Sequence, residues 1–365
     1  MSLIKVLIVD DSSVIRNIIR DALSMADNIE VVGEAEDPIV ARDMIKQLNP
    51  DILTLDVEMP KMDGITFLSN LMRLRPMPVI MLSTLTQKGA ETTLQALELG
   101  AIDFIAKPSV QELIAKKDSF KEVLIEKILQ AVKVDQKNYQ LSHALSKNNS
   151  ERSSSILPFN GVKRRNHIIA IGASTGGTEA IKRLLENLPA NSPPIVITQH
   201  IPKNFSFSFA KRLNDMCQLQ VHEASHGQKV KTGHVYIAPG DLHMEITHKN
   251  GAMFCTLLDT EEVNRHKPAV DVLFDSLLDN ASNVQAVLLT GMGQDGAQGM
   301  LRLKQQGART IIQDKASSLI WGMPGKAHAL DAHTLELPLI KIGKAMLEYA
   351  ALDRDGMKEA AYAYQ

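Results

Sequence analysis

The stretch His167-Ile168-Ile169-Ala170-Ile171-Gly172-Ala173-Ser174-Thr175-Gly176-Gly177-Thr178 decides the fold of the region around it. An apolar run with no alternation reads as a strand buried on both faces, and the glycines that follow permit a tight turn. From Thr178 onward, Ile181, Leu184, Leu185 and Leu188 fall at helical spacing and predict a helix over 178–188. A buried strand that passes through a glycine turn into a helix is the repeating unit of a parallel α/β sheet. Further strands are predicted downstream at 194–198, 235–238 and 286–289. Upstream, the same alternation predicts strands at 6–9, 52–55, 79–82 and 102–106, with a weaker one at 30–33. The first helix is read from Val14, Ile15, Ile18, Ile19, Ala22 and Leu23, with Ser12 or Ser13 as its cap. A last helix before the break carries Leu124, Ile125, Ile128, Leu129 and Val132 on one face.

These two patterned regions do not join directly. Residues 134–166 are rich in Ser, Asn and Lys with little apolar periodicity, which marks a linker. The expected organisation is therefore an N-terminal domain over 1–133, a linker over 134–166, a second domain over 167–352 and a polar, alanine-rich tail over 353–365. The length of 365 residues suits two cores better than one.

Bulk properties narrow the classes. The net charge of −2 leaves no electrostatic footprint for nucleic acid. Cys217 and Cys255 are too few for a disulfide framework and lack metal-type spacing, which fits a reducing, cytoplasmic setting. No apolar segment is long enough to span a bilayer, and the N-terminus does not read as a signal peptide, so no membrane insertion is expected.

In the first region Asp10 and Asp11 end one predicted strand, Asp56 another, Ser83 and Thr84 a third, and Lys107 a fourth. The carboxyl ends of parallel strands converge on one crevice, where ligands bind. Carboxylates crowded there need a hard divalent cation, and oxygen ligands suit Mg²⁺. With such a cation bound, Asp56 can attack a phosphoryl group whose oxygens Lys107 and a hydroxyl hold.

In the second region Ser174 sits in a G-x-S-x-G context of strand, turn and helix, where free helix N–H groups favour an oxyanion; a phosphate-binding loop is the competing reading. The next strand ends at Gln199-His200, which supplies a base, and Asp295 follows a later strand and could orient it. Two other motifs compete. Residues 291–296 match G-x-G-x-x-G, with Asp314 at a plausible ribose-binding distance, but Asp295 would repel a pyrophosphate at that helix start. His222-Glu223-Ala224-Ser225-His226 matches a zinc-peptidase motif, yet Leu219 and Val221 alternate as a strand and Gly227 follows at once.

The set Asp10-Asp11, Asp56-Val57-Glu58-Met59-Pro60-Lys61-Met62-Asp63-Gly64, Ser83-Thr84 and Lys107-Pro108 resembles the receiver domains of bacterial response regulators. That resemblance implies a flavodoxin-like domain with a five-stranded parallel sheet and Asp56 as phosphoacceptor. It also implies Ser83 as the switch hydroxyl, Lys107 as the phosphate contact, and Mg²⁺ held by Asp11, Asp56 and the Glu58 carbonyl with support from Asp10. Residues 172–177, Gln199-His200-Ile201-Pro202, residues 233–240, residues 265–274 and residues 291–299 together resemble the chemotaxis protein-glutamate methylesterases.

The second resemblance implies a doubly wound, mostly parallel α/β methylesterase domain with Ser174, His200 and Asp295 as a triad and the Met292 backbone as an oxyanion donor. No cofactor is implied for that reaction. Tyr236, Arg265 and His266 are expected to shape substrate access or simply to pack. The implied activity is hydrolysis of glutamyl methyl esters on chemoreceptors, with deamidation of particular glutamines and a histidine kinase as phosphodonor. The domain order implies that the unphosphorylated receiver covers the esterase cleft and that phosphorylation weakens this contact.

Overall fold

A computed structural model describes residues 3–107, 117–134, 156–161 and 166–352. Most of the expected linker and the whole of the expected tail lie outside the described residues. The chain divides into two compact units, 1–150 and 151–365.

The N-terminal unit contains β1 (Ile4–Val9), α1 (Ser13–Leu23), β2 (Ile29–Ala35), α2 (Pro38–Leu48), β3 (Ile52–Asp56), α3 (Gly64–Leu74), β4 (Val79–Ser83), α4 (Gln87–Leu99), β5 (Asp103–Ala106) and α5 (Lys117–Ala131). Its sheet has the order β2-β1-β3-β4-β5 with every pair parallel. Strands β3 and β4 are buried along their length and β1 is buried from Val6 to Val9, as the continuous apolar runs require. Ser12 caps α1 by accepting from Ile15 N–H, Asp37 caps α2, and Thr86 caps α4. One expectation for α1 fails: Val14 is 61% exposed, whereas Ile19, Ala22 and Leu23 are buried. Ile15, Ile19, Ala22 and Leu23 form the inward stripe, and Val14, in the first turn, falls outside its arc.

The C-terminal unit begins with β6 (Ile168–Ala173), α6 (Gly177–Leu185), β7 (Ile195–Gln199), α7 (Phe205–Met216), β8 (Gln220–Glu223) and β9 (His234–Ile237). A hairpin, β10 (His243–Lys249) with β11 (Ala252–Leu258), then leads into α8 (Val270–Asp275), β12 (Val284–Leu288) and α9 (Ala297–Gln305). The order closes with β13 (Arg309–Gln313), α10 (Met323–Ala329), β14 (Leu335–Leu337) and α11 (Leu339–Ala350). The main sheet runs β14-β13-β12-β6-β7-β9-β8, every pair parallel. The antiparallel β10–β11 pair stands apart and packs Met244, Ile246, Met253 and Cys255 into the same core as Phe274 and Met300. The helix expected over 178–188 ends at Leu185, although Leu188 remains buried beyond it. Among the described residues, no helix is long and apolar enough to cross a membrane.

Candidate active site and acidic pocket

Strands β12, β6 and β7 are neighbours, so the loops at their carboxyl ends share one edge of the sheet. Ser174 follows β6, His200 follows β7, and Asp295 lies in the loop between β12 and α9. Ser174 is fixed through its backbone: its N–H donates to Thr290 O at 3.1 Å, and its carbonyl accepts from Gly177 N–H at 2.7 Å and Gln199 Nε2 at 3.0 Å. Gly176 has φ +77, the left-handed conformation that lets the chain turn there at no steric cost to a side chain.

Asp295 is 1% exposed, and its carboxylate is ringed by donors. Oδ2 lies 2.8 Å from His200 Nε2 and accepts from Val270 N–H at 2.6 Å. Oδ1 accepts from Asn264 Nδ2 at 2.8 Å, Gly296 N–H at 3.0 Å and Asp271 N–H at 3.2 Å. Val270 and Asp271 open α8, so the carboxylate also occupies a helix N-terminus. Burial alone would raise its pKa. The facing His200 and these hydrogen bonds outweigh burial and hold the carboxyl below the ordinary range, so Asp295 is an anion at neutral pH. Asp271, by contrast, is raised, chiefly by burial.

Since Asp295 only accepts, the facing Nε2 of His200 carries the proton, and Nδ1 is left with its lone pair. That nitrogen is buried and has no hydrogen-bond partner, so the Ser174 hydroxyl is not bonded to it in this form. The imidazole is held instead by Asp295 and by His266, whose ring stacks on it with centroids 3.5 Å apart and planes at 17°. Tyr236 does not share in this: it is 1% exposed, and its hydroxyl donates to Lys229 O and accepts from Lys231 N–H.

Gly291 brings the β12 loop against the serine. A Cβ there would stand 2.9 Å from Ser174 Cβ, 3.0 Å from Ser174 N and 2.3 Å from Met323 Sδ. Gly291→Ala is therefore expected to lower stability by about 1–3 kcal/mol and to displace Ser174, read as a lower urea midpoint together with lost ester hydrolysis. A fully active, equally stable variant would contradict this contact. Met292 follows, and among the described residues its N–H donates to no backbone carbonyl outside the regular elements.

Asn264, with φ +53, was not legible as a site residue; its Nδ2 donates to Asp271 Oδ2 as well as to Asp295 Oδ1, both at 2.8 Å. Removing it by Asn264→Ala is expected to cost about 1–3 kcal/mol of stability and roughly tenfold in kcat. The urea midpoint and steady-state hydrolysis measure the two effects, and parental values in both would exclude the role.

The competing motifs find other uses. Gly296 N–H, the donor a pyrophosphate would need, is already bonded to Asp295, while Asp314 accepts from the Ser317 N–H and hydroxyl in a local turn. His222 lies in β8 with its Nε2 2.9 Å from His234 Nδ1, whereas His226 is in the following loop beside Leu257 O, so the two histidines share no helical face.

In the N-terminal unit, the ends of β1, β3, β4 and β5 bring Asp10, Asp56, Ser83 and Lys107 together, as the strand ends predict. Lys107 Nζ lies 2.8 Å from both Asp10 Oδ2 and Asp56 Oδ2. One oxygen each of Asp10, Asp11 and Asp56 lie within 4.8 Å of one another. Three carboxylates facing one ammonium leave an excess of negative charge, and an all-oxygen donor set of this kind fits a hard divalent cation. Asp56 is raised to about 6, first because it is buried, with Lys107 opposing the shift. Glu58 N–H donates to Asp56 Oδ1 at 3.3 Å. Ser83 is fully buried, and its hydroxyl lies 3.2 Å from Gly89 O.

Comparison with known proteins finds a family match in each unit. Residues 169–346 match the CheB methylesterase family, and residues 6–117 match the response regulator receiver domain. The chain is 48% identical over 351 residues to a protein-glutamate methylesterase/protein-glutamine glutaminase of Saccharophagus degradans, covering 96% of this chain and 99% of the relative. It is 50% identical over 352 residues to one of Photorhabdus laumondii, covering 95% and 97%. The crystal structure of the Thermotoga maritima CheB methylesterase catalytic domain is 39% identical, with a TM-score of 0.49, and spans 50% of this chain and 98% of its own.

Proposed function

We propose that this chain, which belongs to the protein-glutamate methylesterase/protein-glutamine glutaminase family, removes methyl esters from glutamates of chemoreceptors under control of Asp56 phosphorylation. The observation that carries the hydrolase half is the buried His200–Asp295 pair at 2.8 Å beside Ser174. Ser174 Oγ attacks the ester carbonyl while its proton passes to His200 Nδ1, and Asp295 stabilises the imidazolium. Met292 N–H holds the oxyanion. Collapse of the tetrahedral adduct breaks the bond to methoxide, which takes the proton from His200 and leaves as methanol. Water then attacks the acyl-serine, again losing its proton to His200, and returns Ser174 and a glutamate carboxylate. The same sequence with a glutamine carboxamide releases ammonia.

In the N-terminal unit Asp10, Asp11 and Asp56, with the Glu58 carbonyl, would hold Mg²⁺, which would supply charge neutralisation for phosphoryl transfer. Asp56 accepts the phosphoryl group from a histidine kinase, Lys107 holds a phosphoryl oxygen, and Ser83 reorients toward it. The chain acts in the cytoplasm, on the signalling helices of the receptors.

Treating the full chain with a serine-directed phosphonate, followed by peptide mapping, is expected to place the adduct on Ser174, and methylated receptors are expected to release methanol. A binding module would give neither result, and an adduct elsewhere would remove Ser174 from the reaction.

A further inference from the structure

The C-terminal unit gathers a second group of ligating side chains outside the Ser174 site. His328 lies in the last turn of α10, His333 in the connection that follows, and Glu336 at the centre of β14, an edge strand of the main sheet. One nitrogen of each imidazole and one Glu336 oxygen all lie within 4.8 Å of one another. His328 Nδ1 is 2.8 Å from Glu336 Oε2, and the two imidazoles stack with centroids 5.1 Å apart and planes at 20°. His333 Nδ1 is buried with no hydrogen-bond partner.

We propose that His328, His333 and Glu336 form a binding site for one divalent transition-metal ion of the zinc type. Two imidazoles and a carboxylate are the donor set that suits zinc, whereas Mg²⁺ and Ca²⁺ prefer oxygen throughout. Ligand atoms around tetrahedral zinc stand roughly 3.4 Å apart, given bonds of ~2.1 Å. The observed cluster needs only side-chain rotation to reach that spacing. The His328 and Glu336 side chains are 50% and 31% exposed, so they have room to turn and an ion can enter from solvent. The neighbouring cation, Lys304, is held by Asp331, at 2.6 Å from its carbonyl and 3.0 Å from its carboxylate. A simple surface ion pair accounts for His328 and Glu336 but not for a third ligand beside them with an unpaired buried nitrogen.

The ion joins the end of α10 to β14. The start of α10 is tied to the active-site loop, since Gly322 N–H and Met323 N–H both donate to Gly291 O at 3.1 and 2.9 Å. Zinc thus clamps the helix that backs the Ser174 loop, and its effect is on the stability of the hydrolase unit.

The test uses the full chain, stripped of metal by chelator and kept in excess Mg²⁺ so that the acidic pocket of the N-terminal unit is filled. Titrated against a chromophoric zinc indicator, the parent is expected to withdraw one equivalent of Zn²⁺. The variant H328Q/E336Q, altered only at solvent-reaching side chains, is expected to bind more than about 100-fold more weakly with an unchanged circular dichroism spectrum. At a hundredfold excess over Kd, Zn²⁺ is expected to raise the Tm of the hydrolase unit by about 5–10 °C in the parent and not in the variant. A parent that withdraws no zinc overturns the proposal, as does a variant that binds like the parent. Loss of binding in H222Q/H234Q instead would move the ion to that histidine pair and equally overturn it.

Discussion

Ser174→Ala is expected to abolish methanol release from methylated receptors while leaving Asp56 phosphorylated to the parental level. Loss of a serine nucleophile that acts together with a histidine lowers kcat by about 10⁴–10⁶, with a residue of rate left to binding and the oxyanion donors. The substitution removes only Oγ. The bonds that fix this turn are made by backbone groups: Ser174 N–H to Thr290 O, and the Ser174 carbonyl to Gly177 N–H and Gln199 Nε2. The variant should therefore melt like the parent, which separates lost chemistry from lost fold. Asp295→Asn is a poorer test of chemistry. Its amide nitrogen would face N–H donors on every side, so lost activity and lost stability would arrive together. Unchanged turnover in Ser174→Ala would remove the nucleophile and leave His200 to activate water directly.

Much of this site was legible because parallel strands deliver their carboxyl ends to one edge. Once 167–171, 194–198 and 286–289 read as strands, Ser174, His200 and Asp295 had to fall on that edge, and β12, β6 and β7 proved to be immediate neighbours. The same logic placed Asp10, Asp56, Ser83 and Lys107. What strand ends do not encode is the orientation of a ring. That His200 turns Nε2 to Asp295 and leaves Nδ1 without a hydrogen bond depends on donors from residues 264–271, which no periodicity ties to the sheet. Asn264 carries one local signal, since Asn tolerates the left-handed backbone it adopts, but that signal marks a turn and not a ligand. Strand β10 of the hairpin does not carry the continuous apolar run that marks a buried parallel strand. Its alternating residues instead lay one face on the core, with Met244 and Ile246 inside and Glu245 and Thr247 further out.

Methanol release is expected to rise on adding Mg²⁺ and a small acyl phosphate to the parent, by a factor in the roughly 5–150-fold range of allosteric couplings, and not to rise in Asp56→Ala. The physical basis begins with charge. Asp56 titrates near 6 against 3.8 for a free aspartate, so the folded state holds its proton more tightly than the unfolded one. Below about pH 4 the burial of Asp56 therefore costs nothing, and the cost develops as pH rises to about 6 and is fully present above it. That rise corresponds to about 3 kcal/mol at neutral pH, which a bound cation would offset. At limiting Mg²⁺ the phosphorylation rate should therefore fall as pH drops through about 6, because the protonated carboxyl cannot attack.

Phosphorylation is expected to act next on Ser83. Its hydroxyl lies beside Gly89 O, the same carbonyl that accepts from Thr93 Oγ1 at 2.7 Å in the first turns of α4. Phosphoryl oxygens on Asp56 compete for that hydroxyl with a charged, stronger acceptor. Moving Ser83 to the phosphate would release its contact with α4 and carry the change from the pocket to the surface of the unit. Ser83→Ala separates the steps: phosphate should still load on Asp56, but the rise in methanol release should shrink. Equal stimulation of the parent and Asp56→Ala would show that the acyl phosphate acts elsewhere. Full stimulation in Ser83→Ala would keep Asp56 as the switch and reject α4 as its route.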